Sequence, residues 1–261
     1  MSKHKLKDVA TLLTRIQCAE SAKALPELWN QSIEKDSTPL EFLQHLLENE
    51  IQQRERKNKE RKLKLASFPY YRELCDFDLT EQPSLNKKDF QKLIELTWVD
   101  QNYNLVLLGP TGTGKTFLSI GLGIKAVQEG YNVVFVTAGE IVHLLKTMEF
   151  TNRSLAKIKR IKKCDLLIID DLMFMAMDKT EANLFFHLIN EIYEQTSIIL
   201  TSNKNPTDWG QLIGDEIITG AILDRIVQHA EIIQLSGDSY RLRHREGIFN
   251  KKTLRKASGS I

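Results

Sequence analysis

Leu105-Val106-Leu107-Leu108-Gly109-Pro110-Thr111-Gly112-Thr113-Gly114-Lys115-Thr116 is the stretch on which the fold turns. A short apolar run leads into G-x-x-x-x-G-K-[ST], the pattern of a phosphate-binding loop. The pattern stands where its mechanism needs it, after a run that reads as a buried strand and before a helical run from Phe117. Glycines let the backbone turn tightly and aim its N–H groups inward. The start of the following helix adds partial positive charge at the phosphates. Gly109, Pro110, Thr111, Gly112, Thr113, Gly114, Lys115 and Thr116 are therefore the candidate nucleotide-binding residues, with ATP as the expected nucleotide. Lys115 is expected to reach the β- and γ-phosphates, and the Thr116 hydroxyl to bind Mg²⁺.

Working outward along the chain, Leu166-Leu167-Ile168-Ile169-Asp170-Asp171 is an apolar run closed by two acids. Alone it would read as a core strand followed by a turn or cap. Beside a phosphate loop, Asp170 is the expected Mg²⁺ partner, because Mg²⁺ favours carboxylate oxygens and retained waters. Asp171 is placed to orient and deprotonate an attacking water. Ile198-Ile199-Leu200-Thr201-Ser202-Asn203 ends in the same way, and Asn203 is a candidate polar group between the γ-phosphate and that water. Asn203-Lys204-Asn205-Pro206 also reads as turn chemistry. Paired acids and a polar strand end suit attack by water better than transfer to a small acceptor, which disfavours a P-loop kinase. Phe77 and Leu79 are candidates for the adenine pocket.

Leu105–Leu108, Val133–Val136, Leu166–Ile169, Ile198–Thr201 and Ile232–Leu235 are short Val/Ile/Leu runs separated by longer helical segments. Runs of this kind suit strands buried on both faces, and their spacing suits βαβ units. The expected fold class is α/β, a parallel sheet flanked by helices.

Upstream, residues 5–66 read as helical, with Leu6, Val9, Leu13 and Ile16 on one face. Thr38-Pro39-Leu40-Glu41 is a capping box with proline at the first helical position. Leu40, Leu43, Leu47 and Ile51 follow as an apolar stripe. Glu50/Arg54, Glu55/Lys59 and Glu60/Lys64 are then spaced to pair along an exposed helix. Phe68-Pro69-Tyr70-Tyr71 breaks the pattern. The expected organisation is a helical domain over 1–66, an ATPase domain over 67–249 and a basic tail over 250–261.

The net charge of +2 hides segregation. Residues 53–64 carry seven basic and two acidic side chains, and residues 240–261 carry seven basic and one acidic. Such clustering points to a polyanionic partner. Arg54, Arg56, Lys57, Lys59, Arg61, Lys62 and Lys64 form the first candidate DNA-binding set. Lys157, Lys159, Arg160, Lys162 and Lys163 form a second, flanking an apolar face of Leu155, Ile158 and Ile161. No aromatics interleave with these runs, so phosphate contact on duplex DNA, independent of sequence and steeply salt-dependent, is expected over base stacking. Cys18, Cys75 and Cys164 are scattered, which fits reduced thiols and neither a disulfide frame nor a zinc site. No apolar run approaches a membrane span, and a cytoplasmic location is expected.

At these motifs the chain resembles AAA+ ATPases and, within them, the IstB family of insertion-sequence transposition helpers. The likeness extends to Glu41-Phe42-Leu43-Gln44-His45-Leu46-Leu47-Glu48-Asn49-Glu50, Asn104–Pro110, Thr201-Ser202-Asn203, Ala221-Ile222-Leu223-Asp224-Arg225 and Gly237-Asp238-Ser239-Tyr240-Arg241. The resemblance implies an ATPase that forms homo-oligomers, assembles on duplex DNA and deforms it. It further implies recruitment and activation of a partner transposase, with hydrolysis resetting the assembly. A DnaC-like replicative helicase loader is the alternative. The resemblance also implies that Arg225 completes a neighbouring subunit's site, and that a helix at the second basic set meets nucleic acid. Three features depart from the usual pattern. Asp171 stands where the family usually has glutamate. The loop has Thr111 and Phe117 where relatives often have proline and histidine. The residues after Leu235 are too few for the helical lid of many AAA+ proteins, and Arg241 is a candidate replacement for that lid's sensing arginine.

Overall fold

The computed structural model describes residues 3–172, 177–205, 209 and 216–237. They form two compact units divided between Leu65 and Ala66. Arg241 and the 250–261 tail lie outside the described residues, as does the region where a lid would be sought.

The first unit is helical: α1 (Lys3–Arg15), α2 (Ala19–Glu34) and α3 (Pro39–Ala66). The capping box opens α3: the Thr38 N–H donates to the Glu41 carboxylate at 2.7 Å and the Glu41 N–H to the Thr38 hydroxyl at 3.3 Å. The interior of this unit is small and partly polar. Leu25 and Leu46 are buried together with Ser21 and Glu50. The Ser21 hydroxyl donates to the Leu46 carbonyl at 2.6 Å, and the Ser21 N–H donates to Glu50 at 2.7 Å. Arg54 Nε reaches the other Glu50 oxygen, also at 2.7 Å. Burial acts to raise the Glu50 pKa, but the Ser21 and Arg54 donors outweigh it and hold the carboxyl below its usual range.

The apolar stripe of α3 is not this unit's interior. Leu40, Leu43, Leu47 and Ile51 are 75%, 48%, 47% and 57% exposed. Phe42, Leu46 and Glu50, spaced i, i+4, i+8, lie on a different face of the helix. That face meets α2, where the Phe42 and Trp29 rings pack edge-on at 5.2 Å.

The second unit is a five-stranded parallel sheet flanked by helices. The strands are β1 (Asn104–Leu108), β2 (Val133–Thr137), β3 (Leu166–Asp170), β4 (Ser197–Ser202) and β5 (Ala230–Gln234), in the order β2-β3-β4-β1-β5. Every pair is parallel. The helices are α4 (Lys87–Glu95), α5 (Thr97–Asp100), α6 (Lys115–Gln128), α7 (Ala138–Thr147), α8 (Asn152–Ile161), α9 (Lys179–Ile192) and α10 (Glu216–Val227). β1, β3 and β4 are buried along their whole length, as their unbroken apolar runs require. β5 is an edge strand and starts two residues earlier than its apolar run suggests. Only Ile233 of it is buried, and Ile232 is 44% exposed. Val106, Val136, Ile169 and Leu200 in the sheet pack with Ile141, Phe185, Trp209 and Ile222 in one continuous core.

The strand order fixes where a site can form. β4 lies between β3 and β1, so the carboxyl ends of these three strands are neighbours. Ligands of open α/β sheets bind outside such ends.

Candidate functional site

The loop 109–114 leaves β1 and runs directly into α6, whose first residue is Lys115. Gly114 caps that helix at φ 93°, a conformation that favours glycine. Gly109 has φ 145°, and a Cβ there would lie 2.1 Å from the Leu235 carbonyl oxygen, at the end of β5. Lys115 folds over the loop, its Nζ donating to the Gly109 and Pro110 carbonyls at 2.7 and 2.8 Å.

Asp170, the last residue of β3, faces the start of α6. The Thr116 hydroxyl donates to its two carboxylate oxygens at 2.9 and 3.1 Å. Thr201 on β4 donates to Asp170 Oδ1 at 2.7 Å and accepts the Asp171 N–H at 2.9 Å. One hydroxyl thus fixes both acids. The chain turns sharply at Asp171, with φ 59°, in the left-handed region that aspartate enters more readily than most residues with a side chain. Asp170, Asp171, Thr201 and Asn203 all line one cavity of about 480 Å³ with Thr111–Thr116 of the loop.

Another part of the cavity lining comes from the segment before α4. Phe77, Asp78, Glu81 and Gln82 line it, and Pro69, Tyr70, Phe117, Phe135 and Thr137 also contribute. Phe77 stacks on Phe90 with ring centroids 5.6 Å apart and is tilted against Phe117 at 5.8 Å. Leu79 is not among the lining residues.

Thr201 lies in the Thr201-Ser202-Asn203 stretch and Gln82 in no motif, and sequence reasoning gave neither a role. A polar residue closing a buried strand was the available signal for Thr201. Nothing local marks Gln82, which matters only because the chain brings it against Thr113 across 31 positions.

The donor set fits Mg²⁺. A hydroxyl and a carboxylate, both hard oxygen ligands, sit together at the mouth of the phosphate loop. Among the described residues no group of three or more His, Cys, Asp or Glu could hold a metal unaided.

Arg225 stands apart from this cavity. On α10, its Nε donates to Asn190 Oδ1 and its NH1 to the Ala221 carbonyl, each at 3.0 Å. The guanidinium lies 4.8 Å from the centre of the Phe186 ring. It borders a small crevice with Asn102, Asn104, Glu194 and His229, at the end of the sheet where β1 begins.

The basic sets are partly neutralised within their own units. Lys57 pairs with Glu20 at 2.7 Å, Arg54 with Glu50, and Arg56 with Glu60 at 3.6 Å. Lys157 on α8 meets Glu140, and Lys162 at its C-cap meets Glu191, both at 2.6 Å. Ile158 and Ile161 anchor that helix in the core, while Leu155 is 37% exposed. Among the described residues no helix is long and apolar enough to cross a membrane.

A parallel sheet in which β1, between β4 and β5, feeds a phosphate loop, with the acid that ends β3 facing the threonine after the loop, defines a P-loop nucleotide-binding protein. Known proteins narrow this. The family model described as IstB-like ATP binding protein matches residues 11–247. An IS21-like insertion-sequence ATP-binding protein of Bacteroides fragilis is 40% identical over 97% of this chain and 95% of its own length. An IS21 insertion-sequence ATP-binding protein of Pseudomonas aeruginosa is 36% identical over 94% of each. The chain belongs to the IstB-like ATP binding protein family. Two solved structures share the fold at low identity. DnaI does so with TM-score 0.53 and 21% identity over 63% of this chain and 90% of that one. AMPPCP-bound DnaA from Aquifex aeolicus does so with TM-score 0.51 and 24% identity over 64% of this chain and 50% of that one.

Proposed function

We propose that this chain is an ATP-hydrolysing, DNA-binding regulator of transposition. It assembles on duplex DNA when ATP is bound, activates or targets a partner transposase, and is reset by hydrolysis. The convergence of Thr116, Asp170, Asp171 and Asn203 on one phosphate-loop cavity carries the enzymatic half of this reading. The insertion-sequence relatives, matched over nearly their whole length, support the biological half.

In this reading Lys115 leaves the loop carbonyls for the β- and γ-phosphates, exchanging neutral acceptors for charged ones. Thr116 and Asp170 would hold Mg²⁺, which would supply positive charge to the phosphate oxygens. Asp171 takes a proton from the attacking water, and Asn203 orients that water. The Thr201 hydroxyl keeps the two acids in register. Arg225, remote from its own subunit's cavity, supplies positive charge to a neighbour's γ-phosphate in a homo-oligomer.

DNA contact falls to the two basic sets. The first comprises Arg54, Arg56, Lys57, Lys59, Arg61, Lys62 and Lys64, and the second Lys157, Lys159, Arg160, Lys162 and Lys163. Phosphate neutralisation by such cations makes binding independent of sequence and steeply weakened by salt. The reaction belongs in the cytoplasm, with the DNA.

Electron microscopy of the protein with duplex DNA tests the whole. With ATP, ordered oligomers coating the duplex are expected, and with ADP their loss. Oligomers equally abundant with ATP, with ADP and without nucleotide would refute the reset. Affinity barely changed between low and moderate salt would refute the phosphate contact.

A further inference from the structure

The turn between α7 and α8 carries a ring that the fold does not use. Phe150 is 82% exposed, the most exposed Phe, Tyr or Trp among the described residues. The turn beneath it is closed. The Phe150 and Thr151 N–H groups both donate to the Thr147 carbonyl, at 3.0 and 2.9 Å. The Thr147 and Thr151 hydroxyls each lie 2.7 Å from the hydroxyl of buried Ser154. Thr151 caps α8, so Phe150 and Leu155 occupy two positions whose side chains commonly pack together to fix a chain's entry into a helix. The exposure of Phe150 leaves little of its ring for that contact. An apolar ring held in water is free energy that a ligand can recover.

The surroundings give the charge of that ligand. Between Glu149 and Asp165 the chain has six basic side chains and no acidic one. Arg153, three residues after the ring, is exposed, as are Lys159 and Lys163. Asn152, Leu155, Ala156 and Lys159, spaced i, i+3, i+4, i+7, form the outward stripe of α8, while Ile158 and Ile161 anchor the helix in the core. A polyanion that also offers apolar faces answers both features. In DNA, phosphates meet the cations and a base-pair step meets the ring.

We propose that Phe150 is a wedge that enters between two base pairs of the bound duplex, unstacking that step and kinking the helix axis. Unstacking resists entry, so a wedge has to be held stiffly, and the hydroxyl-bound turn supplies that stiffness. Arg153 and Lys159 hold phosphates of the flanking backbone. Pyrimidine–purine steps unstack most readily, so the ring settles there while phosphate contact stays independent of sequence. This inference rests on the reading of the α8 basic set as a DNA contact.

The test is permanganate oxidation of thymines in a mixed-sequence duplex, with the full chain and ATP at concentrations that saturate the DNA. Stacked thymines are shielded from the oxidant and unstacked ones are not. With the wild-type chain, newly reactive thymines are expected, foremost at thymine–adenine steps. F150A should lose them while still coating the duplex, with the salt dependence of its affinity unchanged, because a neutral ring releases no counterions. F150L, still an apolar wedge, should keep part of the signal. A wild-type complex with every thymine shielded would overturn the wedge and leave phosphate contact standing, and that comparison needs no variant. F150A complexes as reactive as the wild type would overturn it in favour of a protein contact for the ring. A wild-type chain that does not bind the duplex would instead remove the DNA reading on which the inference depends.

Discussion

The two ends of the parallel sheet are finished differently. At the carboxyl ends of β1, β3 and β4, polar side chains converge on a cavity: two hydroxyls, two carboxylates, an amide and the loop lysine. At the opposite end polar groups close on the protein itself. Asn104, the first residue of β1, is buried; its Nδ2 donates to the Ile226 carbonyl and its Oδ1 accepts the Ile198 N–H, each at 2.9 Å. Beside it stands half-buried Arg225, held by Asn190 and Phe186. One end is shaped to take a ligand, and the other presents a fixed cation. In the proposed head-to-tail association these are the two faces that would meet.

The contrast breaks most visibly at Arg225. Arg225→Ala is expected to lower ATP turnover about 10³-fold or more, the range seen when such an arginine is removed from phosphoryl transfer. Mixing it with Lys115→Ala subunits, whose loop lacks its cation but whose arginine is intact, should restore part of the activity. A mixture no more active than its parts would move the arginine's role inside its own subunit. Asp171→Asn acts at the other end. Turnover should fall by about 10²–10⁴, the usual contribution of a positioned base, with ATP affinity by calorimetry little changed. Turnover at the wild-type rate would place the base elsewhere. The smallest effect is expected at Thr201→Val, which keeps the shape and deletes the hydroxyl shared by the two acids. Stability to urea should drop by about 1–3 kcal/mol, because the Asp171 N–H loses its acceptor. No loss of stability would mean that the left-handed turn at Asp171 holds without that bond.

These residues were not equally visible in the sequence. Gly109–Thr116 and Asp170 declare themselves because phosphate binding demands a contiguous pattern, and a buried strand ending in acid is locally conspicuous. The sheet was readable for the same reason, since strands buried on both faces leave unbroken apolar runs. β5 was misplaced by two residues because an edge strand needs no such run. Phe77 could be nominated, but the contact between Gln82 and the loop could not be read, because its partner Thr113 is distant in sequence. In α3 the helix and its cap were legible, but not the inward face. Periodicity marked Leu40, Leu43, Leu47 and Ile51, whereas the buried side is built on Leu46, Glu50 and a bond to Ser21. A polar interior leaves no hydrophobic period to read.

Gly109 carries a further consequence. Its Cα faces the Leu235 carbonyl so closely that even a methyl group would force the end of β5 aside. The obstruction is one of masonry, and it would exist whether or not a phosphate ever entered. Relatives that had abandoned ATP should therefore be at liberty to lose Lys115 or Asp171 while still keeping glycine at position 109 for as long as β5 stays beside β1.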